Sequence, residues 1–137
     1  MKLQGKVLNA GSASGDVLVL DEPLSFWGGY DPETGTIIDQ QHPQVGAVMT
    51  GKIVVMPGTR GSSGTPGVLG ESLRLCTGPA GLVLNKPDIN VTAAALVVST
   101  LYDMHCPVVA LDETAFRTLH ARTPISIEAD GSVTQQA

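Results

Sequence analysis

The stretch "GKIVVMPGTRGSSGTPGVLGESLRLC", residues 51 to 76, decides how this chain is read. Its apolar run "KIVVMP" reads as a strand ending near Met56, and "TPGVLGESLRLC" as a helix beginning near Pro66. Thr65 is a good N-cap residue type, and Pro66 suits the first helical position because its missing N–H has no intrahelical partner there. Between strand and helix stand Arg60, Gly61, Ser62, Ser63 and Gly64.

Two readings of that loop compete. Glycine and serine fill ordinary strand-to-helix turns. The same residues also make a ligand site. Unpaired backbone N–H groups and the positive end of the helix dipole face such a loop and favour phosphate or carboxylate. Arg60 adds a cation whose planar fork matches a carboxylate, and the glycines allow close backbone approach. The loop lacks the GK[ST] ending of a P-loop and the G-x-S-x-G pattern of a nucleophile elbow. No histidine lies near it in sequence, so a reactive serine needs its base or its electrostatic support from elsewhere in space, or from another chain.

Around this stretch the first half of the chain reads as β. "KLQGKVL" and "GDVLVLD" are Val- and Leu-rich strand candidates with "NAGSASG" as a turn between them, and "YDPETG" is a compact turn before the strand candidate "TIID". The second half alternates. "AGLVLN" and "CPVVAL" read as buried strands. "DINVTAAALVVSTLYDM" and "DETAFRTLH" read as helices, and "ISIEADGSVTQ" as a terminal hairpin around a D-G turn. The expected architecture is one mixed α/β domain over residues 1–137, a β-rich part packed on a small βαβ part.

The 137 residues suffice for a core without disulfides or metals. A net charge of −5 with scattered basic residues gives no footprint for nucleic acid. No apolar run approaches the length of a membrane span, and no leader pattern opens the chain, so a soluble cytoplasmic protein is expected. Cys76 and Cys106 lie among apolar neighbours and read as buried thiols, with no surrounding cluster of metal ligands. His42 reads as a surface residue of a loop, His105 and His120 as structural or exposed, and Asp103 has no evident partner. "DEPLSFWGGYDPETG", residues 21 to 35, holds the only tryptophan and four carboxylates. Its Phe26, Trp27 and Gly28 either plug one end of the core or form a contact surface, since tryptophan favours interfaces.

Taken together, "LDEPLSFWGGYDPETGTIID", "HP", "GKIVVMPGTRGSSG" and "CPVVAL" resemble the small subunit, or swivel domain, of the aconitase X family over nearly the full chain. The resemblance implies a β/β/α swivel domain that pairs with a much larger catalytic subunit. The iron or iron–sulfur centre is expected in that subunit, with no cofactor or metal in this chain. The complex is expected to be a hydro-lyase acting on a hydroxy acid. Ser62, the first serine of the loop, is implied as proton acceptor, with Arg60, Gly61, Ser63 and Gly64 holding the substrate and Phe26, Trp27 and Gly28 at the partner interface. "FWGG" and "RGSSG" look like the branch acting on cis-3-hydroxy-L-proline, the other branch acting on phosphomevalonate. Two rivals remain: a phosphohistidine carrier, disfavoured because no histidine sits in a glycine-rich loop, and a non-catalytic anion-binding scaffold.

Overall fold

A computed structural model of the chain describes residues 2–60, 64–119 and 123–135. The strands in chain order are β1 (Lys2–Gln4), β2 (Lys6–Asn9), β3 (Ala13–Gly15), β4 (Val17–Val19), β5 (Tyr30–Asp31), β6 (Thr36–Ile37), β7 (Ile53–Met56), β8 (Gly81–Leu84), β9 (Val108–Ala110), β10 (Ile125–Ile127) and β11 (Ser132–Gln135). The helices are the single turn α1 (Phe26–Gly29), then α2 (Thr65–Arg74), α3 (Ile89–Tyr102) and α4 (Glu113–Arg117).

Three layers result. A four-stranded antiparallel sheet runs β1-β11-β10-β3, and a five-stranded sheet runs β2-β9-β8-β7-β4, with β5-β6 as a separate ribbon. In the five-stranded sheet β4, β7, β8 and β9 are parallel, and only the edge strand β2 is antiparallel. The reason lies in the continuous apolar runs of β7, β8 and β9, which suit strands covered on both faces. Their side chains alternate. Val54, Met56, Leu82, Leu84 and Val108 pack towards Leu69, Leu73, Val91, Ala94 and Val98 of α2 and α3. Ile53, Val55, Val83 and Val109 pack towards Ile125, Ile127 and Val133 of the second sheet. This is the expected β/β/α arrangement.

Several local expectations are corrected. "KLQGKVL" is two strands in two different sheets, split at Gly5, where a Cβ would stand 3.0 Å from the Gly131 carbonyl oxygen. Part of "NAGSASG" is a strand, because β3 completes the edge beside β10. Thr65 is not the N-cap of α2: Gly64 holds that place and Thr65 is its first residue, fully buried. Cys76 is exposed, not buried, because it ends α2 in the left-handed region at φ 63°. His42 is buried, not on the surface, and Asp103 does have a partner, since one of its carboxylate oxygens lies 3.4 Å from His105 Nε2. The terminal hairpin stands as expected, with Gly131 at φ 90° in its turn.

Candidate functional site at the C-terminal edge of the parallel strands

Four parallel strands put their C-terminal ends along one edge of the sheet, the place where ligands bind in open α/β folds. Three polar segments leave from it: residues 20–29 after β4, 57–60 after β7 and 85–88 after β8. Arg60 and Gly64 are brought to this edge. Gly61, Ser62 and Ser63 lie outside the described residues, as does His120. The chain enters this loop from β7 and leaves it into α2, as the strand-loop-helix reading requires. The hydroxyl of Thr65 at the start of α2 is buried and has no hydrogen-bond partner among the described residues.

Each segment is fixed by side chains. Asp88 caps α3: its Oδ1 accepts from the N–H groups of Asn90 at 2.9 Å and Val91 at 3.4 Å. Its Oδ2 accepts from the Thr59 N–H at 2.8 Å and the Thr59 hydroxyl at 2.7 Å. Burial alone would raise the Asp88 carboxyl, but these four donors outweigh it and hold the group below its ordinary value. On the other side of the same backbone, the Arg60 N–H donates to the Leu24 carbonyl at 3.0 Å. The Arg60 guanidinium donates to Glu22 Oε1 at 3.3 Å, an exposed ion pair. The Gln44 N–H donates to His42 Nδ1 at 3.0 Å, which leaves Nε2 as the donor to the Glu22 carbonyl at 3.0 Å. Pro57, Gly58, Thr59, Asn85, Lys86, Pro87 and Asp88 line a groove of about 370 Å³.

The aromatic pair divides. Phe26 is fully buried and meets the Tyr30 ring edge-on, 5.0 Å between centroids, while the Tyr30 hydroxyl and Ser72 Oγ are 2.6 Å apart. Its expected place at a partner interface is therefore corrected: Phe26 is a core residue. Trp27 is 68% exposed, and Gly28 beside it adopts φ 80°. Sequence reading missed Asp88, Glu22 and Thr59, whose signal is only a carboxylate before an apolar helix and a short acidic run. It also missed the outer face of α3, where Ile89, Leu96, Val97, Leu101 and Tyr102 are exposed. The signal for that face was available, since α3 contains no charged residue and is apolar all round. Among the described residues no three His, Cys, Asp or Glu side chains are placed to hold a metal ion, and no helix is long and apolar enough to cross a membrane.

Comparison with known proteins meets this geometry. The chain is 38% identical over 108 residues to a cis-3-hydroxy-L-proline dehydratase of Pseudomonas aeruginosa, covering 79% of this chain and 19% of that protein. The match thus spans about a fifth of that relative's length. It is 38% identical over 104 residues to a phosphomevalonate dehydratase small subunit of Methanothermobacter thermautotrophicus, covering 75% of this chain and 79% of that one. The crystal structure of Thermococcus kodakaraensis aconitase X in its holo form superposes with a TM-score of 0.87 at 29% identity, over 100% of this chain and 99% of that one. The family model for the aconitase X swivel domain matches residues 2–135, and the chain belongs to that family.

Proposed function

We propose that this chain is the swivel part of an aconitase-X-type dehydratase and supplies half of an active site that a large catalytic subunit completes. The observation that carries this reading is where the residues on either side of the serine stretch, 57–60 and 64–65, are placed. Residues 57–60 leave the parallel sheet at the C-terminal edge of its strands and bring Arg60 there, and Gly64 and Thr65 begin helix α2.

A dehydration of this class removes a proton beside a carboxylate and expels hydroxide from the next carbon. In this reading Arg60 and the backbone N–H groups of Gly61, Ser63 and Gly64 hold the carboxylate, and the N-terminus of α2 adds its positive dipole end. Ser62 takes the proton. A neutral serine is a weak base, so its oxygen depends on those same donors and on exclusion of water. The iron or iron–sulfur centre belongs in this reading to the large subunit and assists departure of the hydroxyl group; the described residues here offer no ligand set for it. Trp27, Gly28 and the uncharged outer face of α3 are the surfaces assigned to that partner, since exposed apolar area of this kind marks an interaction site. The favoured substrate is cis-3-hydroxy-L-proline, with phosphomevalonate as the alternative.

The test is to produce the chain with a large aconitase X subunit and assay both substrates. Ser62→Ala is expected to lower kcat by about a hundredfold or more with little change in KM, the scale of lost acid–base catalysis. Ser63→Ala should cost less, and Arg60→Ala should raise KM. A near-normal kcat for Ser62→Ala removes the proposed base, and assembly without activity on any hydroxy acid leaves the scaffold reading in its place.

A further inference from the structure

We propose that Asp88 is the positioning residue of the serine loop: its carboxylate clamps Thr59 against the N-terminus of α3 and fixes the base from which Ser62 is presented, an inference that rests on the serine-loop reading above. The geometry assigns Asp88 two tasks. One oxygen caps α3 through Asn90 and Val91. The other accepts both the N–H and the hydroxyl of Thr59.

Capping alone does not call for aspartate. Serine and asparagine cap helices as well as aspartate does, and each needs one oxygen for it. A second oxygen free to accept two more hydrogen bonds is what a carboxylate adds. That oxygen is used on the last residue but one before the serine loop. Thr59 is gripped from the opposite side too: the N–H of Arg60 donates to the Leu24 carbonyl, Leu24 donates to the Gly58 carbonyl at 3.4 Å, and Leu24 and Thr59 form a parallel bridge. The strand β7 has ended at Met56, so on the Leu24 side one isolated bridge, not a continuous ladder, holds residues 58–60. The clamp supports the same residues from the α3 side. It joins the segments after β7 and β8 into the walls of one groove and makes the start of α3 a fixed stop for the loop. A catalytic group displaced by an ångström loses much of its effect, so such a stop bears on turnover more than on folding.

The experiment uses the assembled enzyme with Asp88→Ser, Thr59→Val and Thr59→Ser. Asp88→Ser keeps a helix cap and removes the second oxygen. Its kcat is expected to fall roughly ten- to a hundredfold while KM changes less than about threefold. Thr59→Val, which keeps the N–H but loses the hydroxyl, should fall by less, and Thr59→Ser should restore turnover. Hydrogen exchange at the Thr59 amide should quicken in Asp88→Ser, with the melting temperature little changed. Normal turnover in Asp88→Ser overturns the proposal. So does equal loss in Thr59→Val and Thr59→Ser, or a kinetic loss that simply follows the melting temperature. A harmless Ser62→Ala overturns the serine base instead, and the clamp is then judged by turnover and Thr59 exchange in Asp88→Ser.

Discussion

Backbone bonds hold both edges of the five-stranded sheet, but the segments beyond its C-terminal edge carry charged and ionisable side-chain supports. At the N-terminal edge backbone binds backbone: Ile53 donates to the Asp16 carbonyl at 2.8 Å, Ala80 to that of Lys52 at 2.8 Å, and Leu82 to that of Pro107 at 2.9 Å. At the C-terminal edge Leu20 donates to the Val55 carbonyl and Leu111 to that of Leu84, both at 2.8 Å, and side chains join beyond these rungs. Asp88 holds Thr59, His42 holds the Glu22 carbonyl, and Glu22 holds Arg60. A backbone ladder specifies one conformation and offers nothing to a ligand. Side-chain supports leave cations, hydroxyls and groove walls at the surface, and each support can be altered singly. Of the two edges, on the proposed reading it is the C-terminal one, with these side chains, that presents the site.

The sharpest break between them should appear in the thiols, which both belong to the N-terminal side. Cys106, just before β9, is buried with its Sγ 3.7 Å from the Pro79 carbonyl oxygen, and burial pushes its pKa to about 12. Cys76 is exposed after α2. Burial disfavours the Cys106 thiolate, and the thiolate is the reactive form. Alkylation of the native protein, read by mass spectrometry, is expected to modify Cys76 more than about a thousandfold faster than Cys106, with denaturant abolishing the difference. Equal rates would mean that the N-terminal edge opens in solution and that the comparison fails.

A smaller effect tests the C-terminal edge within two adjacent residues. Phe26→Ala is expected to destabilise the domain by about 3–5 kcal/mol, the range for a buried aromatic truncated in a packed core. Trp27→Ala should stay within about 0.5 kcal/mol, as a surface change does. Urea melts of the two variants measure this. Trp27→Ala should also weaken assembly with the large subunit, seen by co-purification. If Trp27→Ala melts like Phe26→Ala, the exposed tryptophan is a core residue in solution.

This division also explains what was legible in the sequence. The layers were, because continuous apolar runs such as "IVVM" and "GLVL" state where a strand is buried on both faces. The strand before the serine stretch and the helix after it were legible too, the helix through the Thr-Pro signal, although the cap itself fell one residue earlier at Gly64. Phe26 and Trp27 could not be told apart, since nothing in "SFWGG" says which ring turns inward. Their fates are decided by Tyr30 and by the left-handed Gly28, neither of which leaves a periodic signal. His42 was misread because its burial depends on partners 20 residues back and two ahead, Glu22 and Gln44. Asp88 was read inside a helix pattern, but its second task depends on Thr59, 29 residues earlier, and no local pattern encodes that.

The smallest effect concerns Glu22, and its sign carries the information. The exposed pair of Arg60 and Glu22, 3.3 Å apart, competes with any carboxylate that Arg60 is to hold. The side chain can be changed without moving the segment, because the Glu22 carbonyl, not its carboxylate, is what His42 binds. An exposed pair of this kind is worth about 0.2–1 kcal/mol. Releasing Arg60 by Glu22→Gln is therefore expected to lower KM by about 1.4- to 5-fold. kcat should stay unchanged, since the gain is the same in ground and transition states. Added salt should shrink the difference, because it already screens the pair in the parent enzyme. A rise in KM would reverse the assignment and say more. Hydroxyproline carries a ring ammonium that a carboxylate can hold, whereas phosphomevalonate has no nitrogen. KM that rises for the first substrate and falls for the second would make Glu22 a substrate ligand and tie the C-terminal edge to an amino-acid substrate. KM that falls for both would leave Glu22 as the gate on Arg60.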